Sequence, residues 1–140
     1  MEFTMTKEET AVQKRNCGYN CAQAVACTYA EEFGMDEKTM FRVTEGLGTG
    51  LGTTRGTCGA LNAACLLAGM KRSSANLEKP DSRAFTYQLT RKLVSEFENQ
   101  AGAVRCMDIK GIGTGRVLCE CEDCVRIACR LTEKYITEEN

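Results

Sequence analysis

The chain contains no histidine and no tryptophan, a single proline, and only 6% aromatic residues. The absence of histidine excludes imidazole-containing zinc sites, haem attachment through a CxxCH motif, and any nucleophile activated by a histidine. The shortage of aromatic side chains argues against a platform on which nucleic-acid bases stack. The chemistry that remains depends on thiolates, carboxylates and backbone amides.

The sequence also lacks features that would direct it to nucleic acid or to a membrane. Its net charge at pH 7 is -1, and no basic stripe with interleaved aromatic residues is present. No apolar run is long enough to span a bilayer, and the start MEFTMTKEET has neither the basic nor the apolar part of a signal peptide. We therefore expect a cytoplasmic protein with no nucleic-acid and no membrane partner, folded as one domain over residues 1–140.

Helical periodicity is the main secondary-structure signal, and runs that alternate as in strands are missing. Helix starts are marked by the capping box at Thr6, by Asn20 and by Asp36. The pattern predicts an all-α fold, a small bundle of about five to six helices with a Gly-rich loop. The first two predicted helices cover 6–15 and 21–33, and a third follows Asp36 and carries Met40, Val43 and Leu47 into the glycine loop. The fourth covers 58–70. The fifth covers 83–100, is capped by Asp81 or Ser82, and has Phe85, Leu89, Leu93 and Phe97 on one face. A loop is predicted over 102–123, and the last helix over 122–137.

The stretch from 45 to 70 joins the glycine-rich loop to an apolar helix, and Cys58 lies where the two meet. With Thr57 as the expected N-cap, the Cys58 sulfur is placed beside unpaired backbone N–H groups and the positive end of the helix dipole. Such a position lowers the pKa of a cysteine thiol. The glycine spacing matches neither a dinucleotide-binding fingerprint nor a P-loop, which disfavours nucleotide binding. We therefore regard Cys58 as the centre of the chemistry.

Ten cysteines without an export signal indicate metal ligation or redox chemistry rather than a disulfide framework. Cys21, Cys58 and Cys121 each fall where a helix is predicted to begin, and Cys106 falls in the predicted loop. Four thiolates near one point repel each other unless a metal or a set of N–H donors offsets their charge, and helix N-termini supply such donors. The pattern therefore indicates a shared site. Small core positions are expected for Cys27, Cys65 and Cys129, while Gly18 leaves the place of Cys17 open.

Four stretches of the chain match the motifs of a known family. They are NCAQAV at 20–25, CGA at 58–60 after the glycine loop, CMDIKG at 106–111, and Cys121. In their order and spacing, from about residue 17 to residue 131, the chain resembles the C_GCAxxG_C_C family of redox-active proteins, which is marked by four cysteines and a CGAxxG motif. Ala63 stands where that motif ends in glycine. The resemblance implies that Cys21, Cys58, Cys106 and Cys121 are the family cysteines. Through a related domain of split-Soret cytochromes, it also implies an iron–sulfur centre.

Together, the residues and the resemblance predict a small redox protein in which these four cysteines ligate a [2Fe–2S] cluster and transfer one electron at a time. Backbone N–H groups of Gly56, Thr57 and Gly59 are expected to bind the same cofactor. The expected partner is another redox protein, and the sequence leaves open whether the chain forms oligomers.

Two alternatives use the sulfurs differently. In thiol–disulfide exchange, Cys58 is the attacking thiolate and one of the other three family cysteines resolves the intermediate. In a non-catalytic helical binding module, one zinc ion is held by four cysteines of the C-terminal part. Acidic residues within CECEDC at 119–124 are expected to raise the pKa of the thiols beside them, which disfavours a nucleophile there but suits a zinc ion. The zinc set would be Cys106, Cys119, Cys121 and Cys124.

Overall fold

Helix boundaries in this protein follow its capping residues. In the computed structural model, which describes residues 5–138, the Thr6 hydroxyl accepts a hydrogen bond from the Glu9 N–H at 3.1 Å, and the Asn20 side chain accepts one from the Gln23 N–H at 2.9 Å. The fold is all-α, as predicted, and no strand occurs among the described residues. Within them the seven regular helices are α1 (Lys7–Asn16), α2 (Cys21–Tyr29), α3 (Glu37–Thr44), α4 (Gly59–Arg72), α5 (Arg83–Ala101), α6 (Cys106–Lys110) and α7 (Cys121–Thr132).

Helix α2 is the centre of the bundle, and all nine of its residues are buried. Its side chains are mostly small, so α1, α3, α4 and α7 pack closely around it. At its C-terminal end the Tyr29 hydroxyl lies 3.3 Å from the Cys129 carbonyl of α7 and 3.0 Å from the Glu133 carboxylate, in the π-helical turn that follows α7. The packing of α2 therefore carries Cys21, its first residue, into the interior of the molecule.

The loop between α3 and α4 contains a sharp reversal. The segment Gly48–Leu51 is a tight turn rather than a regular helix, because Thr49 and Gly50 have left-handed φ values of 53° and 58°. A Cβ at Gly50 would lie 2.6 Å from the Cβ of Cys106, so glycine is needed there for close approach as well as for φ. The loop therefore passes directly against the start of α6.

Two hydrogen bonds then fix the starts of α4 and α6 side by side. The Cys58 N–H donates to the Val104 carbonyl at 2.8 Å, and the Cys106 N–H donates to the Gly56 carbonyl at 2.9 Å. They form an isolated antiparallel bridge centred on Thr57 and Arg105. Two cysteines that lie 48 positions apart in the sequence are thereby held by neighbouring backbone segments.

Several predicted boundaries were wrong. Cys106 does not lie in a loop but opens α6, a helix of five residues that is too short to show periodicity and is ended by Gly111 in the left-handed region. The N-cap of α4 is Cys58 rather than Thr57, because the bridge holds the chain extended through Cys58. Phe85 is exposed, so the buried stripe of α5 begins only at Leu89.

The remaining differences concern helix ends. Helix α2 stops at Tyr29 and a 3₁₀ turn at Glu31–Phe33 follows, while Ser82 occupies the N-cap position of α5 without accepting a hydrogen bond from that helix. The last helix starts at Cys121, one residue before the predicted position. None of the helices in the described part of the chain is both long and apolar enough to cross a membrane.

Candidate functional site

The four family cysteines all lie at the N-terminal end of a helix. Cys21, Cys106 and Cys121 are the first residues of α2, α6 and α7, and Cys58 is the N-cap of α4. All four line one cavity of about 30 Å³, together with two further cysteines. We call it the six-thiol cavity; its sulfurs belong to Cys21, Cys58, Cys106, Cys119, Cys121 and Cys124.

Cys58 lines this cavity and is buried, with 6% of its surface exposed. Its pKa is lowered, first because the Cys124 thiol donates a hydrogen bond to the Cys58 sulfur and then because the N–H groups of Leu61 and Ala60 do so; burial acts in the opposite direction. The sequence prediction of a stabilised thiolate at the start of this helix is therefore confirmed in direction. The largest contribution, however, comes from a second cysteine rather than from the helix itself.

A second pair of interacting cysteines is formed by Cys21 and Cys121. The hydrogen bond from the Cys21 thiol, followed by the Arg15 guanidinium, lowers the pKa of Cys121 to about 5 against the opposing effect of burial. The same hydrogen bond, together with burial, raises the pKa of Cys21. Positive charge on Lys110, which lines the cavity, also favours the Cys121 thiolate.

This pair corrects one expectation from the sequence. The acidic residues around Cys121 were expected to raise its pKa, and for Cys121 that is wrong, since Arg15 and Cys21 come from distant parts of the chain to act on its sulfur. For Cys119 the pKa is raised, chiefly by burial, with a smaller contribution from the negative charge of Asp123. The neighbouring acidic residues therefore predict the direction of the pKa shift correctly for Cys119 but not for Cys121.

The other two thiols of the cavity, those of Cys106 and Cys124, have raised pKa values. The pKa of Cys124 is raised because its thiol donates to Cys58 and because the residue is buried. The pKa of Cys106 is raised by burial, which the nearby Lys110 partly offsets. The pKa is thus lowered for two cysteines of the cavity, Cys58 and Cys121, and raised for the other four.

Close packing around the sulfurs depends on Gly59. A Cβ at this position would lie 2.5 Å from the Cys21 Sγ and 2.9 Å from the Gly48 Cα, so a larger residue has no room. Gly59, one of the three residues predicted to bind the cofactor, lines the cavity. Gly56 and Thr57 do not line it: the Gly56 N–H donates to the Gly50 carbonyl at 3.0 Å, and both residues belong to the bridge that positions Cys58 and Cys106.

The four cysteines outside the cavity have separate places. Cys27 and Cys129 are buried core residues, as predicted, and burial raises their pKa to about 11 and about 12. Cys65 is only partly buried, which is less than predicted, and its pKa is raised to about 11. Cys17 is exposed and does not line the cavity. All ten cysteines, which lie within the described residues, have free thiols.

The dimensions of the cavity limit what it can hold. Pockets for organic cofactors and other ligands of that size measure roughly 300–1,000 Å³, so a cavity of about 30 Å³ has room only for a few atoms. Within residues 5–138, no three side chains of the metal-binding types are grouped so that they could hold a single metal ion. The sulfurs instead form one pair, Cys21 with Cys121, and one group in which Cys124 interacts with both Cys58 and Cys119.

Sequence reasoning did not identify the cationic groups of the site. Arg15 lies in the last turn of α1 and donates to the Cys121 sulfur, and Lys110 ends α6 at the cavity wall. Nothing in the residues around Arg15 indicates a site, because its contact depends on how α1 packs against α7. The basic residue Lys110 lies within the stretch 106–111 that matches the family, and its position four residues after Cys106 was a usable signal.

Comparison with known proteins agrees with this geometry. A family model described as "Putative redox-active protein (C_GCAxxG_C_C)" matches residues 19–135. The match includes α2 to α7 and thus all six cysteines of the cavity. Nothing among the curated proteins or the solved structures matches the chain.

Proposed function

This chain belongs to the C_GCAxxG_C_C family, and on that basis we propose that it is a small electron-transfer protein that holds an iron–sulfur cluster, of the [2Fe–2S] type, in the six-thiol cavity. Cys21, Cys58, Cys106 and Cys121 would be the ligands. The observation that carries the proposal is the convergence of these four sulfurs, each from the start of a different helix, on one small cavity. Bound there, the cluster would supply a one-electron couple.

The donor set fits such a group chemically. Iron–sulfur clusters are held by cysteine thiolates, and the chain has no histidine that could replace one. Anionic sulfurs need compensating positive potential, which helix N-termini, Arg15 and Lys110 supply. The N–H groups of Ala60 and Leu61 already donate to the Cys58 sulfur, and such hydrogen bonds raise the reduction potential of a centre held by that sulfur.

The placement of the four family sulfurs favours a two-iron group over a single zinc ion. A structural zinc ion needs four ligands around one point, whereas the four cysteines of a [2Fe–2S] cluster divide into two on each iron. Cys21 and Cys121 already form one close pair. Cys58 contacts Cys124, and Cys106 is near enough to Cys58 and Cys121 to feel their charge. The second pair would therefore be Cys58 with Cys106.

A redox partner would dock where the cavity meets the surface. Two of the segments that line the cavity continue into exposed apolar residues and carry positive charge, whereas the lining segment 119–124 carries three acidic residues. Residues 46–56 and 104–118 contain four of the chain's 18 Lys and Arg residues but one of its 19 Asp and Glu residues. This charge fits a partner with an acidic face. We call this the rim surface; it consists of Leu51, Arg55, Lys110, Ile112, Arg116, Val117 and Leu118.

Thiol–disulfide exchange by Cys58 is the second candidate, and the lowered pKa of its thiol favours it. In this reading Cys58 attacks and a neighbouring thiol resolves the mixed disulfide. The 6% exposure of Cys58 argues against direct attack on a partner protein, because the sulfur of another chain would have to reach a buried sulfur. Electron transfer needs no such contact.

The test is metal and sulfide analysis with a visible spectrum on protein purified under nitrogen. We expect about two iron and two acid-labile sulfide ions per chain and charge-transfer bands in the visible region. Colourless protein with one stoichiometric zinc ion would favour the zinc module. Metal-free protein in which Cys58 is the thiol alkylated fastest would favour exchange.

Serine variants of each cavity cysteine identify the ligands. Replacement of Cys21, Cys58, Cys106 or Cys121 should abolish or strongly reduce iron content, and Cys65→Ser, outside the cavity, should retain it. Retention of the full iron content by Cys106→Ser together with its loss in Cys124→Ser would overturn the proposed ligand set. Far-UV circular dichroism of each variant separates loss of ligand from loss of fold.

A further inference from the structure

One wall of the six-thiol cavity has a backbone conformation that its residues do not adopt readily. Thr49 lines the cavity and begins a run of four consecutive residues with left-handed φ values, from 53° at Thr49 to 75° at Gly52. We call residues 49–52 the left-handed turn. Thr49 and Leu51 are not glycine, and a β-branched residue such as threonine is especially disfavoured there. Such a turn persists only where the surrounding structure holds it.

The side chain of Asn62 anchors the chain on both sides of this turn. Its Nδ2 donates to the Leu47 carbonyl at 3.2 Å and to the Thr57 carbonyl at 3.0 Å. An amide nitrogen carries two hydrogens, so both of its donors are used. Asn62 is half-buried and lies four residues after Cys58, and because helical side chains lean toward the N-terminus, it reaches back over the start of α4.

The anchored segment lies between the starts of two helices that carry proposed ligands. A Cβ at Gly59, the first residue of α4, would lie 2.9 Å from the Gly48 Cα, 3.0 Å from the Leu47 carbonyl oxygen and 2.5 Å from the Cys21 Sγ. On the other side, a Cβ at Gly48 would clash with the side chain of Asn20, the N-cap of α2. The place of this segment is therefore coupled to the spacing of the two helix starts.

We propose that Asn62 is a positioning residue of the cluster site. By anchoring the chain before and after the left-handed turn, it holds that turn against the cavity and keeps Cys21 and Cys58 in place before the cluster binds. The inference rests on the proposed function and adds to it a residue outside the cavity lining. Without the two hydrogen bonds, the unfavourable backbone of the turn is free to relax away from the sulfurs. Two hydrogen bonds of ordinary net strength bias a local equilibrium by a factor of about ten or more.

The test is timed alkylation of the metal-free, full-length chain with iodoacetamide, followed by mass spectrometry of each cysteine peptide. In Asn62→Leu, Cys21 and Cys58 should react at least tenfold faster than in the wild type. Cys27 and Cys129, which are buried outside the cavity, should react at the wild-type rate. Equal acceleration at all four cysteines would show a general loss of stability, and no acceleration at Cys58 would show that the anchor is not needed. Either result would overturn the proposal.

Two further variants separate the hydrogen bonds from the shape of the side chain. Asn62→Asp keeps the shape, but an ionised carboxylate has no hydrogen to donate, so this variant should behave like Asn62→Leu. Wild-type alkylation rates in Asn62→Asp would contradict the proposal. The matched control is Thr90→Val on α5, a half-buried position that loses only a bond to the Tyr87 carbonyl of its own helix, at 3.2 Å. If this control accelerates Cys58 as much as Asn62→Leu does, the effect is not specific to Asn62 and the proposal fails.

Cluster-loaded protein provides an independent measurement. Asn62→Leu should lose its iron to EDTA at least tenfold faster than the wild type, because the ligands are no longer held together. Iron loss at the wild-type rate would overturn the role of Asn62 in the cluster site. Wild-type protein that binds no iron would refute the electron-transfer proposal instead, and the alkylation pattern would still decide whether Asn62 positions the two thiols.

Discussion

Single residues decide whether the sulfurs of this protein can approach each other, and Gly59 is the clearest case. It is the first residue of α4, next to Cys58, and its missing side chain leaves the space that the Cys21 sulfur occupies. Neither a strained φ nor a turn explains this glycine. It is needed because two helix starts pack directly on each other.

We expect Gly59→Ala to lower the free energy of unfolding by about 1–3 kcal/mol, as overpacking of a close contact does. The atoms that the new methyl group would meet include the Gly48 Cα and the Leu47 carbonyl oxygen, at 2.9 Å and 3.0 Å, and backbone gives way less easily than a side chain. Chemical denaturation measures the effect. The matched control in the same helix is Gly69→Ala, which has open space around the new Cβ and should raise stability by about 0.5–1 kcal/mol. Equal behaviour of the two variants would contradict this account of Gly59.

Arg15 provides the second prediction at this scale, because its cation supports the Cys121 thiolate. In metal-free protein, Arg15→Gln should raise the pKa of Cys121 from about 5 toward the ordinary value of 9, and alkylation of Cys121 near pH 6 should slow accordingly. The shift should be incomplete, because the hydrogen bond from Cys21 remains. Mass spectrometry of the Cys121 peptide over a pH series measures it. Arg42→Gln, an exposed substitution on α3, should change nothing, and an unchanged pH profile for Arg15→Gln would refute the assignment.

At the scale of helices, α1 is joined to α7 by charge as well as by packing. The Glu8 carboxylate lies 2.8 Å from Arg130 and 3.3 Å from Arg126, and all three side chains are at least partly exposed. This contact matters for the site because α1 brings Arg15 to Cys121. The Arg130 guanidinium, followed by that of Arg126, holds the pKa of Glu8 below its usual value of 4.5, while burial acts against them.

We expect Glu8→Gln to lower the free energy of unfolding by about 1 kcal/mol at pH 7, the upper end for exposed ion pairs. A carboxylate with a depressed folded-state pKa contributes stability above the unfolded-state value, and that contribution is lost as the pH falls through the folded-state value. The difference between wild type and variant should therefore shrink below pH 4.5. Thermal unfolding over a pH series measures it, with Glu98→Gln on the exposed face of α5 as control. A difference that persists unchanged in acid would show that the ion pair is not its source.

The same scale separates what sequence could predict from what it could not. The starts of α1, α2 and α3 were predictable because Thr6, Asn20 and Asp36 cap them through bonds to residues only three positions away. Helix α6 was not, since its five residues carry no period and its start is fixed by a bridge to Gly56. A helix that is capped by a nearby side chain can be recognised in the sequence, whereas a helix start that is fixed by a hydrogen bond to a distant segment cannot.

For the molecule as a whole, the sequence predicts that several cysteines share one site, but it does not predict which cysteines line it. Helix starts and family motifs indicated four sulfurs at one place, and the structure places those four and two more around it. The two additional cysteines had been assigned to a rival set, because nothing in CECEDC shows that its three sulfurs share a wall with Cys21 and Cys58. That knowledge requires the packing of α7 against α2 and α4.

The charge distribution of the whole molecule yields the last prediction. The chain has a net charge of -1, yet the two segments that contain the rim surface carry four basic residues and one acidic residue, and the residues of the rim surface are exposed. Attraction between such a surface and an acidic partner accelerates encounter by roughly tenfold to a thousandfold, and salt screens it over about 8–10 Å. Steering should therefore depend on Arg55 and Arg116, which are exposed on the rim surface and lie outside the cavity lining.

We expect the double variant Arg55→Glu with Arg116→Glu to slow electron transfer with an acidic ferredoxin, used as the probe, at least tenfold at low ionic strength. The difference from wild type should narrow as salt is added, because screening removes the attraction in one protein and the repulsion in the other. Stopped-flow absorbance on cluster-loaded protein measures the rate. The matched control, Arg83→Glu with Arg91→Glu on exposed positions of α5, makes the same change in net charge away from the rim surface. If this control slows the reaction as much as the rim variant, net charge alone guides the partner and the rim surface has no special part in docking.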